Sequence, residues 1–236
     1  MKKKNFKIGL FGKCYKDNIF TISKFKKGET NIPVSSVSQR GGIYNIDRLK
    51  IPGIKTKTFD EGKVNSIIIN ELDSSKRSSI LHNSSTFENK DTSWKLNYDW
   101  IHIAYVDDID PVYLNDFSHE NVSVDFCTLN PRKKYRSIID ECSLVFDSRE
   151  RKPLYSDIKT STPLILHDEY GCECIENGKI TYFSTIKPVK GLEVNGAGDI
   201  FCGIFLSQLY NLNLEEAVKT SCQKTTDYLK VKYEKI

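Results

Sequence analysis

The chain has 236 residues, 39% hydrophobic and 28% charged, with a formal net charge of +4. That balance is ordinary for a globular protein and is long enough for one substantial core, so one domain over 1–236 is expected. It excludes three classes: no apolar run approaches the ~18 to 20 residues of a membrane-spanning helix, Ile8–Phe11 is too short for a signal-peptide core, and the scattered lysines form no basic stripe with interleaved aromatics for nucleic acid.

In chain order, Asn5–Leu10 reads as a buried strand. Phe20–Ser38 alternates without the apolar continuity of a central strand, and Ile46–Lys50 is the one short helical stretch before Pro52-Gly53. Val64–Asn70 is a strand rich in β-branched residues, Glu71–Leu81 alternates again, and Thr86–Ser93 is a polar loop. Trp100–Ala104, Val122–Phe126, Cys142–Phe146 and Pro163–His167 follow as short strands, with a helix at Arg132–Asp140. A helix follows Asp199, with Ile200, Phe201, Ile204, Phe205 and Leu209 at helical spacing. A last one is capped by Asn213 and buries Leu214, Ala217, Val218, Ser221, Cys222, Thr225 and Leu229. Strands alternating with helices predict an α/β sheet of mostly parallel order.

The segment Val194-Asn195-Gly196-Ala197-Gly198-Asp199 carries the most chemistry. Small residues let the backbone turn sharply, and the helix they open has unpaired N–H groups and a partial positive charge in its first turn. That combination is an anion site. Asp199 has two readings: it caps the helix, or it takes a proton beside a phosphate.

With its flanks, this segment resembles the nucleotide signature of the ribokinase-like (PfkB) sugar kinases, and other pieces fall in that family's order. Lys7–Gly12 is a first strand ending in glycine, followed by Asp17. Lys27-Gly28-Glu29-Thr30 is similar to the family's PGET turn, and Arg40-Gly41-Gly42-Ile43-Tyr44-Asn45 to its GGxxxN motif with the asparagine one residue early. Asp73–Leu81 resembles the lid turn and strand, and Asp147-Ser148-Arg149-Glu150 the NxxE element with Asp for Asn. The resemblance implies a three-layer sandwich with a mostly parallel central sheet and a small β-strand lid from about 20–40 and 64–82. It implies an ATP-dependent kinase acting on a hydroxyl of a sugar, sugar phosphate or nucleoside-like molecule. Asp199 would be the general base, and Gly196, Ala197 and Gly198, with Asn195 and Gly171, the anion hole and nucleotide site. Asp17, Gly41, Gly42 and Asn45 would bind substrate, and Asp147 and Glu150 would organise Mg²⁺ through water. Exposed lid strands would pair two copies into a homodimer.

The chain departs from the family in four ways. About one βα unit is missing after Asn45, which predicts a narrower sheet; the chain ends soon after the Asn213 helix; Leu166–Gly171 keeps only the last glycine of the nucleotide strand's pattern; and Asn195 stands where a threonine is usual. Beside the enzyme therefore stands a second reading, a degenerate kinase fold that binds a ligand or partner without turnover, and a third, a structural subunit pairing through the lid. The seven cysteines have no zinc spacing, Cys172-Glu173-Cys174 being too tight, and read as free thiols of a reducing cytoplasm. His82, His102, His119 and His167 form no triad and read as core or surface residues; Trp94 and Trp100 read as packing residues.

Overall fold

The computed structural model describes residues 6–52, 54–56, 64–73, 76–82, 98–109, 114, 121–184, 195–209 and 211–233. The expected loop Thr86–Ser93, His119 and Trp94 lie outside them, as does the side chain of His82.

Eight strands form the main sheet in the order β12-β11-β10-β9-β8-β7-β1-β4. These are β1 (Ile8–Gly12), β4 (Ile54–Thr56), β7 (Trp100–Ala104), β8 (Val122–Asp125), β9 (Leu144–Ser148), β10 (Leu164–Asp168), β11 (Gly171–Glu176) and β12 (Lys179–Ser184). From β4 to β10 every neighbour is parallel; β11 and β12 add an antiparallel hairpin at one edge. The parallel strands are buried on both faces, which is why they read as continuous apolar runs.

The two faces pack against different layers. One carries Ile8, Leu10, Leu144, Phe146 and Ile165, covered by α1 (Tyr44–Asp47), α3 (Ala197–Gln208) and α4 (Leu214–Tyr233) through Ile46, Phe201, Phe205, Ala217 and Val218. The other carries Ile101, Ile103, Val122, Val124 and Val145, covered by a 3-10 turn at Arg132–Tyr135 and by α2 (Arg136–Glu141) through Tyr135, Ile138 and Ile139. Helix, sheet and helix make the three layers expected. Asn213 caps α4 as predicted, its Oδ1 accepting the Glu216 N–H at 2.9 Å.

A second sheet of four strands, β3-β2-β5-β6, is built from β2 (Cys14–Ile22), β3 (Ser35–Gly42), β5 (Val64–Glu71) and β6 (Lys76–His82). It is the lid. On β2, Tyr15, Asp17 and Ile19 are buried at period two, and the outer part of β3 is exposed.

Several boundaries differ from the sequence reading. The first strand begins at Ile8, and the helix expected at Arg132–Asp140 starts as a 3-10 turn and is α-helical only from Arg136. On α3, Cys202 and Leu206 are buried with the sheet and α4 while Ile204 is half-exposed, so the buried stripe is displaced from the one predicted. Between the lid's first half and β5 the described chain has only the four residues of α1 and the three of β4, in keeping with the missing βα unit.

Candidate active site

In an open parallel sheet, loops leaving the carboxyl ends of the strands frame the ligand crevice. Tyr105 and Asp107 follow β7, Asp125 ends β8, Asp147 lies near the end of β9 and His167 near the end of β10. The opening of α3 stands over this edge.

Gly196 precedes α3 in the left-handed region at φ 78°, with no side-chain cap among the described residues. The first intrahelical bond runs from Ile200 N–H to the Gly196 carbonyl at 3.0 Å, so the helix leaves the N–H groups of Ala197 and Gly198 without intrahelical partners. Both glycines are also required for space. A Cβ at Gly196 would lie 2.5 Å from Nδ2 of Asn45, and one at Gly198 would lie 2.7 Å from Cε1 of His167. Asn195 is buried immediately before the turn.

Asp199 is held by side chains from two other segments. Its Oδ2 accepts the Asn45 side-chain N–H at 2.7 Å, and its Oδ1 accepts the Tyr105 hydroxyl at 2.5 Å. Two donors fix the carboxylate's direction, as a proton acceptor needs. Tyr105 holds its position with a left-handed backbone, φ 59° and ψ 52°, and its ring lies 5.5 Å from that of Tyr15 on the lid. Burial first, then the Asp199 and Asp125 charges, push its hydroxyl well above the ordinary tyrosine value, so it stays a donor at neutral pH. Asp125 is likewise pushed well above the usual carboxylate range, by burial and then by Asp199 and Asp147.

The lid contributes Asp17, buried, with its Oδ1 accepting the Ser66 hydroxyl across the β2–β5 pair. Gly41 lies directly over it: a Cβ there would be 1.9 Å from Oδ2 of Asp17. Gly42 turns at φ 66°, where a Cβ would be 2.4 Å from the Lys13 carbonyl oxygen. From this turn the chain enters α1, so 41–45 runs from the Asp17 carboxylate to the Asp199 carboxylate. The structure thus brings Asp17, Gly41, Gly42, Asn45, Gly196, Gly198 and Asp199 into one continuous constellation.

Asp147 and Glu150 do not form the pair expected. Asp147 is fully buried, and its oxygens accept from Arg132 Nε (2.9 Å), Arg151 Nη1 (2.6 Å), the Tyr155 hydroxyl (2.8 Å) and the Ser148 N–H (2.7 Å). Arg132, also fully buried, reaches Asp107 at 3.3 Å and lies 4.3 Å over the Phe126 ring. This network ties together the loops after β7, β8 and β9, and it uses up the carboxylate that a hydrated cation would need. Glu150 is exposed on the 3-10 turn Arg149–Tyr155. Gly171 opens β11, where its N–H and that of Tyr170 bond to Asp168 Oδ1 at 3.0 and 2.8 Å, so its described contacts are those of a hairpin turn.

The sequence reading gives Tyr105, Ser66 and Asp125 no role, and reads His167 only as a core or surface residue. Three of them stand at or just beyond the carboxyl ends of predicted parallel strands, and that position was the available signal.

No protein-family model matches the chain, and no curated protein sequence matches it. Solved structures do. The chain superposes on ribokinase from Cryptococcus neoformans var. grubii serotype A in complex with ADP with a TM-score of 0.73, at 16% identity over 93% of this chain and 92% of that one. The chain has the ribokinase-like fold. The same fold is found in the Methanocaldococcus jannaschii nucleoside kinase, an archaeal member of the ribokinase family (TM-score 0.68, 17% identity, 95% of this chain and 91% of that one). Arabidopsis thaliana ribokinase complexed with ribose and ATP matches with a TM-score of 0.64 at 12% identity, over 92% of this chain and 90% of that one. The expected three-layer sandwich with its mostly parallel sheet is correct, and Asp199 and its glycine turn lie at the carboxyl edge of the strands.

Proposed function

We propose that the protein is an ATP-dependent phosphotransferase acting on a hydroxyl of a sugar, sugar phosphate or nucleoside-like molecule. The observation that carries this reading is the Asp199 carboxylate, aimed by Asn45 and Tyr105 at the uncapped, glycine-flanked opening of α3. Asp17 and Asn45 suit a polyol, one as an acceptor and the other with both polarities. In the reaction Asp199 takes the proton of the acceptor hydroxyl as that oxygen attacks the γ-phosphorus, the bond from that phosphorus to the β–γ bridging oxygen breaks and ADP leaves, and the N–H groups of Ala197 and Gly198 face the charge on the transferring phosphoryl. The uncapped helix opening fits a nucleotide phosphate. Asp147 does not fit a Mg²⁺ role, since the guanidinium groups of Arg132 and Arg151 already hold it.

Support for a homodimer comes from the lid, which exposes Phe25, Ile32, Val34, Val37 and Leu72 and whose outer strands β3 and β6 have no further strand beside them among the described residues. None of the seven cysteines is in a disulfide, which supports a reducing, cytoplasmic setting. Among the described residues no helix is long and apolar enough to cross a membrane.

The test is Asp199→Asn with a panel of sugars and nucleosides. The near-isosteric amide cannot take the proton, so kcat falls by about 10² to 10⁴-fold while ADP affinity is unchanged. Substantial turnover in Asp199→Asn removes the base from the mechanism. Wild-type protein that binds one panel compound tightly and turns over none establishes the non-catalytic binder instead.

A further inference from the structure

Beneath the first turns of α3, on the sheet face that the helix covers, three side chains of metal-ligand chemistry converge: His102 from β7, Asp125 from the end of β8 and Cys202 from α3. All three are buried, and one ligand atom from each lies within 4.8 Å of the other two. His102 supplies the decisive detail. Its Nδ1 is 2.9 Å from the Ser123 hydroxyl, which also accepts the Trp100 indole N–H at 2.9 Å. Its Nε2 is buried with no hydrogen-bond partner among the described residues. A buried ring nitrogen is seldom left so. The Trp100–Ser123–His102 chain is the arrangement by which a ligating imidazole is held from behind, its far nitrogen bonded so that the near one is aimed.

We propose that His102, Asp125 and Cys202 form a site for a thiophilic divalent cation of the zinc type. The donor set decides the class. One thiolate, one imidazole and one carboxylate suit Zn²⁺ and its Co²⁺ surrogate, whereas Mg²⁺ and Ca²⁺ require oxygen donors. Tetrahedral coordination at the usual bond lengths separates ligand atoms by about 3.3 to 3.8 Å. The observed upper limit of 4.8 Å therefore needs a contraction of about 1 Å, within the reach of side-chain rotation. A carboxylate and a thiolate together balance the charge of the ion, which matters in an interior this apolar: Phe146 stands 5.7 Å from the His102 ring and packs against Phe205 of α3. The ion would join α3 to β7 and β8 one helical turn beyond Asp199. It would fix the helix that carries the acceptor carboxylate to the strand that leads into Tyr105. It is a structural site, distinct from any nucleotide-associated metal, and stands whether or not the chain is a kinase.

The experiment uses the full chain, stripped with chelator under reducing conditions and titrated with Co²⁺ alone. One equivalent should bind with a thiolate-to-cobalt charge-transfer band and tetrahedral d–d absorption. Zn²⁺ should displace it and raise the thermal midpoint. Cys202→Ser should abolish the band and weaken Zn²⁺ binding by at least about 100-fold, and His102→Gln should weaken it comparably. Cys142→Ser, a buried thiol outside the cluster, should leave both unchanged. The proposal is overturned by the absence of a thiolate band in wild-type protein, or by a band and Zn²⁺ stabilisation that persist in Cys202→Ser or His102→Gln.

Discussion

Replacing Gly41 by alanine tests the lid's role with one methyl group. The new Cβ would lie 1.9 Å from Oδ2 of Asp17 and 2.7 Å from its Cγ. Carbon and oxygen rarely approach below about 3.3 Å, so the carboxylate must retreat by roughly 1.4 Å. The backbone at Gly41 is not left-handed, so the clash acts through Asp17 rather than through φ. Retreat breaks the Ser66–Asp17 bond, a buried bond to a charged group that contributes about 1.5 to 3 kcal/mol. For a chain of this size each kcal/mol moves the midpoint by about 2 to 4 °C, so a fall of roughly 3 to 12 °C is expected. A substrate-binding group displaced by about 1 Å should lower kcat/KM about 10²-fold, while ADP affinity, set at α3, is unchanged. Thermal melts, ADP calorimetry and the acceptor panel read the three quantities. In an Asp17→Ala background the obstacle is absent, and Gly41→Ala should cost little further, a strongly non-additive cycle. Wild-type stability and turnover in Gly41→Ala, or strict additivity in the cycle, would refute the placement of Gly41 over Asp17.

Gly198→Val puts a Cβ 2.7 Å from the His167 ring and a branch over the helix amides, so ADP affinity should drop at least about tenfold in calorimetry; unchanged affinity in folded protein rules out the anion site. Burial, with Arg151 nearby, lowers His167 from its ordinary value of 6.5 to about 4. The unfolded chain therefore takes up a proton that the fold refuses, and stability is lost as pH falls from 6.5 towards 4, by up to about 3 kcal/mol. Denaturant midpoints should show that acid limb in wild type and a shallower one in His167→Gln; equal slopes exclude a neutral imidazole at 167 in the folded chain. Charging the exposed lid with Val37→Glu and Ile32→Lys should turn a dimer into a monomer by light scattering, and a wild-type monomer at high concentration removes the lid interface.

What the sequence made legible is what chemistry confines to a few adjacent residues. The 194–199 segment must place glycines, a helix start and a carboxylate within six positions, so it can be read without a fold. The lid was legible because alternation in Phe20–Ser38 and Glu71–Leu81 contradicts a doubly covered parallel strand, and the family resemblance gives those segments a place. Tyr105 was not legible. It is a tyrosine after an apolar strand, and its partner Asp199 is 94 residues away. Arg132 was not legible for a related reason: the NxxE likeness singles out Asp147, but the guanidinium that meets its carboxylate comes from an earlier loop, and the pair is buried together. The β11–β12 hairpin was missed because its inward residues Cys172 and Cys174 are small and alternate with polar ones.

The early asparagine of the Gly41–Asn45 motif can now be given a physical account. Asn45 sits on a helix of only four residues, too short to hold itself by its own hydrogen bonds. What holds it is α3. Gly203 is where the two helices meet: a Cβ there would lie 2.9 Å from both Ile46 Cγ2 and Leu49 Cδ1. Ile46 is buried in that contact, and its neighbour Asn45 is thereby set against Gly196 and Asp199. Two glycines on or beside α3 therefore do for this abbreviated segment what a longer helix would otherwise do. One, at 203, admits the apolar side of α1; the other, at 196, admits its amide. The shortened connection and the intact Asp199 constellation are then not in conflict, because close approach of α1 replaces helix length as the source of precision. Gly203→Ala, one helical turn from Asp199 and on the face that meets α1, should loosen the Asn45–Asp199 bond and lower kcat with little effect on ADP affinity, whereas unchanged turnover would mean that α1 is positioned by something other than its contact with α3.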